Sequence, residues 1–419
     1  MNNNPGSSSS LIIVGAGAAG LMATICAAKP GSPRVIVLEQ LLKAGVRLLA
    51  TGGGRCNFTN MLGTEDFIRR FGDKSRFVAP ALRAMNGNHL RLFFEGLEVS
   101  SHSPDGFHVF PVSDSARSLR NALLQACRKL DVDIRFNLQV RGLQIDGGRA
   151  TGIITSRGKE SASRVVLAAG GACYPELGGG ESGFSLARKA GHTIVPLCPA
   201  LVPLITRETW PVTLAGITLA RVSVKVAIKS NPRVAAVGSL LFTHKGISGP
   251  VVLDVSGAIS SFLTARAIVA VTIDLSPDRT IEEWLISLEA ERKKHGARTA
   301  LSMLGAIFPS ALAGVVLGLS DVPAGAKVAQ LSREQGRRLV TTIKNLPLTI
   351  SGTEGFGRAM VTRGGVKLGE VNPKTLESRI VRGLFFAGEI LDVDGPCGGF
   401  NLQWAFSSGR LAALSAVPA

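Results

Sequence analysis

The sequence predicts an α/β protein whose two ends form one domain and whose middle is an inserted unit. An apolar strand, a glycine turn and an apolar helix follow one another over residues 11–28. Prolines interrupt short strand-like runs from residue 196, and the pattern becomes helical over 276–346. Residues 384–389 return to an apolar strand that ends in glycine and an acid. A chain of 419 residues is too long for one simple core, so several domains are expected.

The first segment has the pattern of a dinucleotide-binding turn. Its strand, 11–14, leads through a G-x-G-x-x-G turn into the helix 21–28, and a second apolar strand, 35–38, ends in Glu39. The glycines of the turn are Gly15, Gly17 and Gly20. They permit a tight turn, close approach of a pyrophosphate and close helix packing, and the helix N-terminus offers N–H groups to phosphates. An acid about 20 residues on would accept hydrogen bonds from a ribose.

Between this turn and the insert, the pattern predicts one helix and several strands. Ser113 and Asp114 can cap a helix over 115–130. The predicted strands cover 138–145, 151–155 and 165–168. Within the insert, two helix starts match capping boxes, Thr280 with Glu283 and Ser332 with Gln335.

Further glycine-rich segments suit close contact with a cofactor. Residues 51–60, TGGGRCNFTN, fit a loop whose backbone lies against a flat ring or phosphate better than a core element. A glycine pair follows the strand 165–168, and residues 178–183 open another helix-like stretch. A second pair, at 398–399, precedes a final helix predicted over 404–414. A helix start there would direct N–H groups at the N1/O2 edge of a flavin, where negative charge collects on reduction.

The chain is strongly basic. It carries 47 Lys and Arg against 30 Asp and Glu, a formal net charge of +17. Such a chain can attract nucleic acid or an anionic substrate. The basic residues are spread along the sequence, without a basic run that interleaves with aromatic residues. A solvated basic surface around an anionic cofactor is therefore favoured over a nucleic-acid partner.

Composition argues against several classes of protein. The apolar stretch 309–319 is far shorter than the ~20 residues of a membrane span. Residues 1–10 carry no basic residue, which indicates a disordered leader rather than a signal peptide. The 6 cysteines are scattered without a C-x-x-C pair, which argues against a zinc site or a disulfide reductase and favours a reducing cytoplasm. No metal site is predicted.

Five blocks together resemble the bacterial FAD-dependent oxidoreductases of the YhiN/BaiN type, which include aminoacetone oxidases, and more distantly the fumarate reductase flavoproteins. The blocks are IIVGAGAAGLMA (12–23), TGGGRCNFTN (51–60), LFTHKGISGP (241–250), VTRGGV (361–366) and GEILDVDGPCGGFNLQWAFSSG (388–409). The first is generic to dinucleotide binders. The second, third and last are specific to the family.

The resemblance implies an FAD-binding Rossmann-like domain (three-layer ββα) interrupted by a β-barrel-like insert and a small helical domain. The implied boundaries are a leader at 1–10, the FAD-binding domain at 11–195 and 367–419, the barrel-like insert at 196–275 and 347–366, and the helical insert at 276–346.

The resemblance also implies a set of cofactor-binding residues. Those residues are Gly15, Gly17, Ala18, Ala19, Gly20, Glu39, Gln40, Arg47, Thr51, Gly52, Gly53, Gly54, Asn57, Val140, Ala169, Gly170, Gly388, Glu389, Gly399, Phe400, Asn401 and Leu402. The turn would hold the pyrophosphate, Glu39 the adenosine ribose and the Val140 backbone the adenine. Glu389 would lie near the ribitol, residues 51–57 beside the isoalloxazine, and 400–402 near its pyrimidine edge.

The chain departs from the family at two places. Many relatives carry Gly-Ser-Thr-Gly-Asp-Gly where this chain has Gly-Gly-Gly-Glu-Ser-Gly at 178–183, so the substrate side of this loop is not carried over. None of the 6 histidines lies within 11–60, where a histidine-linked flavin would attach. Non-covalent FAD is therefore expected.

Three residues are candidates for catalysis beside the flavin, which itself supplies the redox chemistry. His244 could handle a proton or tie down a barrel loop. Arg363 could bind a substrate carboxylate or be a surface arginine. Tyr174, the single tyrosine, could flank the flavin, donate a proton or pack in the core. Arg55 could neutralise reduced flavin or a cofactor phosphate, or pin its loop. Two cysteines lie in flavin-lining motifs without a spacing that supports a disulfide, Cys56 and Cys397.

The favoured function is an FAD-dependent oxidoreductase that moves a hydride between flavin N5 and a small organic substrate. Amine oxidation by O₂ and NAD(P)H-fed reduction of an activated double bond both stay open. One dinucleotide fingerprint is visible, so NAD(P)H would bind transiently over the flavin. The alternatives are a flavoprotein that docks on RNA and a flavin-binding protein without turnover.

Overall fold

The computed structural model describes residues 10–28, 32–227, 234–263 and 268–417. Residues 1–9 of the predicted leader lie outside this part of the chain, and Ser10 already begins the first strand.

The strands are β1 (Ser10–Val14), β2 (Arg34–Leu38), β3 (Thr59–Asn60), β4 (Ser101–His102), β5 (His108–Pro111), β6 (Asp133–Arg135), β7 (Val140–Asp146), β8 (Arg149–Thr155), β9 (Gly158–Ser161), β10 (Arg164–Leu167), β11 (Ile194–Ala200), β12 (Leu204–Thr206), β13 (Thr218–Val226), β14 (Ala235–Thr243), β15 (Gly246–Ser248), β16 (Val269–Asp274), β17 (Leu346–Thr353), β18 (Val361–Val366) and β19 (Leu384–Phe386). The α-helices are α1 (Ala18–Ala27), α2 (Thr64–Arg69), α3 (Ser75–Ala84), α4 (Gly87–Glu95), α5 (Ala116–Lys129), α6 (Ser182–Lys189), α7 (Trp210–Thr213), α8 (Pro250–Phe262), α9 (Ile281–His295), α10 (Ala300–Gly305), α11 (Ser310–Leu319), α12 (Arg333–Lys344) and α13 (Phe400–Ala416).

The chain divides into two compact units, one formed by Met1–Cys198 with Met360–Ala419 and the other by Pro199–Ala359. The first unit contains a five-stranded sheet in the order β19-β10-β1-β2-β6, parallel at every pairing. Helices α1 and α13 pack together, and the meander β7-β8-β9 contacts β10. This arrangement confirms the predicted three-layer Rossmann-type domain. After their first residues, the central strands β1 and β10 are apolar and buried, because both faces of a parallel sheet are covered.

The second unit contains a closed six-stranded antiparallel barrel in the order β12-β15-β14-β13-β16-β17. Helix α8 packs on β13 and β14, and α12 packs on β16 and β17. Helices α9 to α12 lie within the predicted helical segment. Both predicted capping boxes are confirmed. Each N-cap hydroxyl accepts the N–H of the residue three positions on, and the side chain of that residue accepts the N–H of the N-cap residue.

One predicted boundary and one predicted helix cap differ from the structure. The returning barrel segment was expected to reach residue 366, whereas the first unit resumes at Met360 and β18 pairs with β11. The α5 cap is Ser115, whose hydroxyl accepts the Arg117 N–H, rather than Ser113 or Asp114.

Two further expectations concern loops and helix starts. The composition of 240–250 predicts a loop, but this stretch contains the end of β14, a two-residue turn, the strand β15 and the first residue of α8. The last helix begins at Phe400 rather than 404 because Gly399, in a left-handed conformation, acts as its N-cap. No helix in the described part of the chain is long and apolar enough to cross a membrane.

Candidate cofactor and active site

The glycine turn is crowded on one side and open on the other. A Cβ on Gly15, whose φ is +100°, would lie 2.5 Å from the Ala168 carbonyl oxygen, and one on Gly20 would lie 1.9 Å from the Gly15 oxygen. A Cβ on Gly17 would meet nothing within 4 Å. Gly17 is also the N-cap of α1 and carries no side-chain cap. The open side therefore presents the positive end of a ten-residue helix, where a phosphate is favoured.

Glu39 is fixed at the end of β2 by backbone donors. One carboxylate oxygen accepts the Ala16 N–H at 2.8 Å, and the other accepts the Leu41 N–H at 2.9 Å. The residue is 8% exposed. Each oxygen retains further lone-pair capacity, so the same carboxylate can join the turn to β2 and accept a ribose hydroxyl.

An open cleft runs along the carboxyl ends of the sheet strands. Of the residues predicted to bind the cofactor, it is lined by Gly15, Gly17, Glu39, Gln40, Arg47, Val140 and Ala169. Such an edge is where open α/β sheets bind their ligands. The cleft also contains Lys43, Ser182 and Gly183, which the sequence analysis did not select. Lys43 is exposed and offers a positive charge to a phosphate. It belongs to no sequence motif, so the sequence alone did not identify it.

Arg47 and Glu389 join the ends of two sheet strands. Their ion pair measures 3.3 Å, and Glu389 also accepts the N–H groups of Thr362 at 2.7 Å and Gly171 at 3.2 Å. A Cβ on Gly170 would lie 1.6 Å from an Arg47 nitrogen, so the guanidinium requires a glycine beneath it. Both charged groups are therefore engaged within the protein, and a contact of Glu389 with the ribitol stays a prediction.

The segment 51–57 is a tightly wound loop. The 3₁₀ turn Arg47–Gly54 is broken at its glycines, where Gly52, Gly53 and Gly54 have φ of 55°, 65° and 88°. In the amide orientation that satisfies its partners, Asn57 donates to the carbonyls of Thr59 and Val109 and accepts the Gly399 N–H at 3.1 Å. Asn57 thus ties this loop to the start of α13. The Asn57 amide is therefore already hydrogen-bonded within the protein, so a flavin ring would contact the backbone of this loop instead.

The first turn of α13 is anchored by its own side chains. Phe400 is buried against Phe67, with ring centroids 4.5 Å apart. The Asn401 amide accepts the Gly395 N–H at 2.8 Å and donates to the Gly395 carbonyl at 3.0 Å. These two side chains therefore build the turn. Contact of Phe400, Asn401 and Leu402 with a flavin would come from their backbone at the helix N-terminus.

Helix α13 crosses α1 directly behind the glycine turn. A Cβ on Gly409 would lie 2.3 Å from the Ala19 oxygen, and one on Gly388 would lie 2.9 Å from the Ala19 Cβ. The Gly388 N–H is donated to the Ser408 hydroxyl at 2.9 Å, and its carbonyl accepts the Trp404 indole N–H at 3.3 Å. Gly388 therefore serves the packing of α13, and its predicted contact with the cofactor stays a prediction.

Arg363 belongs to a partly buried network of four charges, in which the Asp394 side chain is the most buried, at 6% exposure. Its Nε and Nη2 donate to one oxygen of Asp394 at 2.9 and 2.8 Å. Lys74 donates to Asp394 at 2.7 Å and to Asp392 at 2.9 Å. Burial favours the neutral acid, but Arg363 and Lys74 outweigh it and hold the pKa of Asp394 below its usual range. A substrate carboxylate would compete with Asp394 for Arg363, so that predicted role remains open.

Tyr174 has a left-handed backbone, with φ of 54° and ψ of 66°. Its carbonyl accepts the N–H groups of Leu177 at 2.9 Å and Gly179 at 3.1 Å. A Cβ on Gly179 would lie 1.8 Å from the Cys173 oxygen, so the loop cannot relax around it. The conformation costs about 1–3 kcal/mol and is held by its surroundings.

His244 is the remaining catalytic candidate, and two buried thiols, Cys56 and Cys173, lie in or beside the segments predicted to line the flavin. His244 lies in the exposed two-residue turn between β14 and β15, in the barrel unit. Burial raises the pKa of Cys56 and of Cys173 to about 12, so both thiols are protonated and poor nucleophiles. In the described residues no group of three or more His, Cys, Asp or Glu could hold a metal ion.

Comparison with known proteins agrees with this geometry. The family model described as HI0933-like protein Rossmann domain matches residues 9–415. The chain is 36% identical over 410 residues to the 3-dehydro-bile acid delta(4,6)-reductase of Clostridium scindens, covering 97% of this chain and 98% of that protein. It is 31% identical to the ribosomal RNA dihydrouridine synthase of Escherichia coli, covering 97% and 98%.

A solved flavocytochrome c3 fumarate reductase shares the fold. The two chains superpose with a TM-score of 0.52 at 15% identity, over 99% of this chain and 78% of that one. At this identity the likeness concerns the fold alone.

The open side of Gly17 generates a prediction about FAD. Gly17→Ala should raise the Kd of the apoprotein for FAD tenfold or more, about 1.4 kcal/mol, because the methyl group would occupy the space left for the pyrophosphate. Thermal stability of the apoprotein should fall no more than in an equivalent N-cap glycine variant, since φ is −80° and the Cβ meets nothing. Flavin fluorescence quenching measures the affinity.

Gly63→Ala, at an N-cap with equal space around it, is the matched control. Wild-type affinity in Gly17→Ala would show that the pyrophosphate does not bind at this turn.

The partly buried network generates a prediction about pH. Asp394→Ala should lower the free energy of unfolding at pH 7 by about 3 kcal/mol, because Arg363 and Lys74 lose a buried partner. The folded-state pKa of Asp394 is depressed, so its stabilisation is complete above the unfolded pKa of about 3.9 and is lost as pH falls further. The gap between wild type and variant in urea unfolding should therefore narrow below about pH 4.

The control for that experiment is Glu65→Ala, which breaks an ion pair with Arg83 whose side chains are both 59% exposed. It should leave the free energy of unfolding near the wild-type value. An Asp394→Ala variant as stable as this control would contradict the stabilising role of the network.

Proposed function

The chain belongs to the HI0933-like family of Rossmann-domain flavoproteins, and from this premise we propose that it is an FAD-dependent reductase of electron-poor carbon–carbon double bonds. The observation that carries the proposal is the full-length similarity to the Clostridium scindens protein, whose name describes a double-bond reductase. The open side of the glycine turn and the cleft beside it supply a place for FAD on this chain.

The residues present fit FAD. In this proposal the N-terminus of α1 at Gly17 holds the pyrophosphate and Glu39 accepts a ribose hydroxyl. The N-terminus of α13, fixed by Asn57 and Asn401, directs its positive end toward the pyrimidine edge of the flavin. Bound FAD supplies the hydride through N5. The protein then has to orient the double bond, exclude water and supply a proton.

NAD(P)H is the proposed electron donor. A single dinucleotide fingerprint is present, so the nicotinamide would bind transiently against the flavin rather than in a domain of its own. Oxidation of an amine by O₂, with the flavin accepting the hydride, is the competing use of the same site. The two directions differ in which small molecule reduces the flavin.

Anaerobic stopped-flow titration of the purified holoprotein tests this choice. NADPH or NADH should bleach the flavin band near ~450 nm, and an enone steroid should then restore it without O₂. A substrate-free buffer addition is the control for spontaneous reoxidation. Bleaching by aminoacetone alone, reversed by air, would mark an oxidase instead. A flavin that no donor bleaches would contradict turnover and favour a non-catalytic flavoprotein.

A second candidate substrate is a uridine of RNA. Two relatives, 31% and 33% identical over nearly the whole chain, are named ribosomal RNA dihydrouridine synthases. Dihydrouridine differs from uridine by two hydrogens on a ring double bond, so the same flavin chemistry would serve. The net charge of +17 supplies attraction to phosphates, and the last turn of α9 alone carries Arg292, Lys293, Lys294 and His295.

Salt dependence and charge reversal test this second candidate. A uridine-containing RNA should bind the protein about a hundredfold less tightly at ~200 mM than at ~50 mM salt, because binding releases counterions. Reversing Lys293 and Lys294 to Glu should weaken binding further, measured by fluorescence anisotropy. The matched control is Lys159→Glu, an exposed lysine on β9. Absence of RNA binding even at low salt would exclude RNA and leave a small molecule as the substrate.

A further inference from the structure

An aspartate–histidine pair lies at the start of β5. His108 Nδ1 is 2.5 Å from one oxygen of Asp105. The other oxygen of Asp105 accepts the N–H groups of Phe107 at 3.0 Å and His108 at 2.8 Å. The hydrogen bond from the His108 ring, with these backbone donors, holds the pKa of Asp105 well below its usual range. The aspartate is therefore a charged acceptor that fixes the imidazole ring in one orientation.

The opposite edge of the imidazole faces the glycine pair before α13. A Cβ on Gly398 would lie 3.6 Å from His108 Nε2. The Gly398 carbonyl accepts the Asn60 amide at 2.8 Å, and Asn60 pairs with His108 in the β3–β5 ladder. Three segments thus meet at one place, namely the end of the 51–60 loop, the start of β5 and the N-terminus of α13. Two of them adjoin residues predicted to lie beside the flavin ring, namely 51–57 and 400–402.

The orientation determines which nitrogen can exchange a proton. Because Asp105 accepts the Nδ1 proton, Nε2 is the nitrogen that faces the glycine pair, as an acceptor in the neutral ring and as a donor in the imidazolium. The side chain of His108 is 37% exposed, so it can regain a proton from water. This arrangement of carboxylate, imidazole and outward Nε2 is the one by which a histidine serves as a positioned acid or base.

We propose that His108, oriented by Asp105, donates the proton that completes reduction of the substrate double bond. This inference rests on the proposed function. The hydride from reduced flavin brings two electrons and one hydrogen to one carbon of the double bond. The π electron pair moves to the carbon beside the carbonyl, and that carbon takes the proton of His108 Nε2. The imidazolium becomes neutral imidazole, the flavin is left oxidised, and NAD(P)H reduces it again.

His108 lies beside the ring of Phe110, and other charged groups surround the same ring. His108 and His102 lie 6.2 and 6.5 Å from Phe110 between ring centroids, and the Arg55 guanidinium carbon lies 4.1 Å above it. Arg55 and His102 both pair with Asp114, at 3.0 and 3.3 Å. His102 is thus a second histidine of equal exposure, 36%, whose aspartate is shared with an arginine. It provides a matched control.

The kinetic test compares His108→Gln, Asp105→Asn and the control His102→Gln as holoenzymes. Bleaching of the flavin by NADPH should be unchanged in all three, because that step needs no proton from His108. Reoxidation by an enone steroid, or by uridine-containing RNA if that is the acceptor, should slow about 10²–10⁴-fold in His108→Gln. Asp105→Asn should lose less, and its pH profile should shift. His102→Gln should match wild type in both steps.

A second readout uses the apoprotein and no flavin. In ¹⁵N NMR of the histidine rings, the signals lost in His108→Gln identify this residue, and those signals should report a proton on Nδ1. Asp105→Asn should change that tautomer distribution, whereas His102→Gln should not. FAD affinity should be the same in every variant, which separates proton donation from cofactor binding.

The outcomes separate the two proposals. Wild-type reoxidation rates in His108→Gln would overturn the role of His108 and leave the reductase proposal intact. An unperturbed ring tautomer in Asp105→Asn would overturn the orienting role of Asp105. A wild-type flavin that no acceptor reoxidises without O₂ would overturn the proposed function and this role with it.

Discussion

The close backbone contact behind the glycine turn is the constraint on which the rest of this structure depends. Gly20 leaves no room for a side chain against the Gly15 carbonyl, and Gly409 of α13 leaves none against Ala19 of α1. Both helices can therefore lie against the turn itself, where any Cβ would force them away. The same packing leaves Gly17 facing open space at the helix N-terminus. One crowded side and one open side together fit the pyrophosphate that is proposed to bind here.

The side-chain charges near this site are largely neutralised within the protein. Arg47 pairs with Glu389, and Lys74 and Arg363 pair with Asp392 and Asp394. Buried charges need such partners because desolvation of an unpaired ion costs several kcal/mol. What remains for an anionic cofactor is mainly backbone N–H groups and two helix N-termini. Recognition by backbone is tolerant of side-chain change, which agrees with relatives at 31–36% identity.

The same fold serves relatives with very different named substrates, a bile acid and ribosomal RNA. The choice of substrate therefore has to come from groups outside the glycine turn. On this chain the basic end of α9 would favour a polyanion, whereas the His108–Asp105 pair would donate a proton to a small or a large substrate alike. Reduction of the double bond and binding of a macromolecule would therefore depend on different parts of the chain.

The apolar strands, the glycine turn with Glu39, and the helical segment with its two capping boxes could be predicted from the residues, because these features depend on short-range periodicity and local hydrogen bonds. The three-layer arrangement of the first domain was implied by the resemblance to a known family. The tertiary structure was needed to show that β18 belongs with the first unit and that Phe400 and Asn401 build a helix start. Only it brought together Arg363 with Asp394 and His108 with Gly398. These pairs join residues distant along the chain, and contacts of that kind follow from packing rather than from any local pattern.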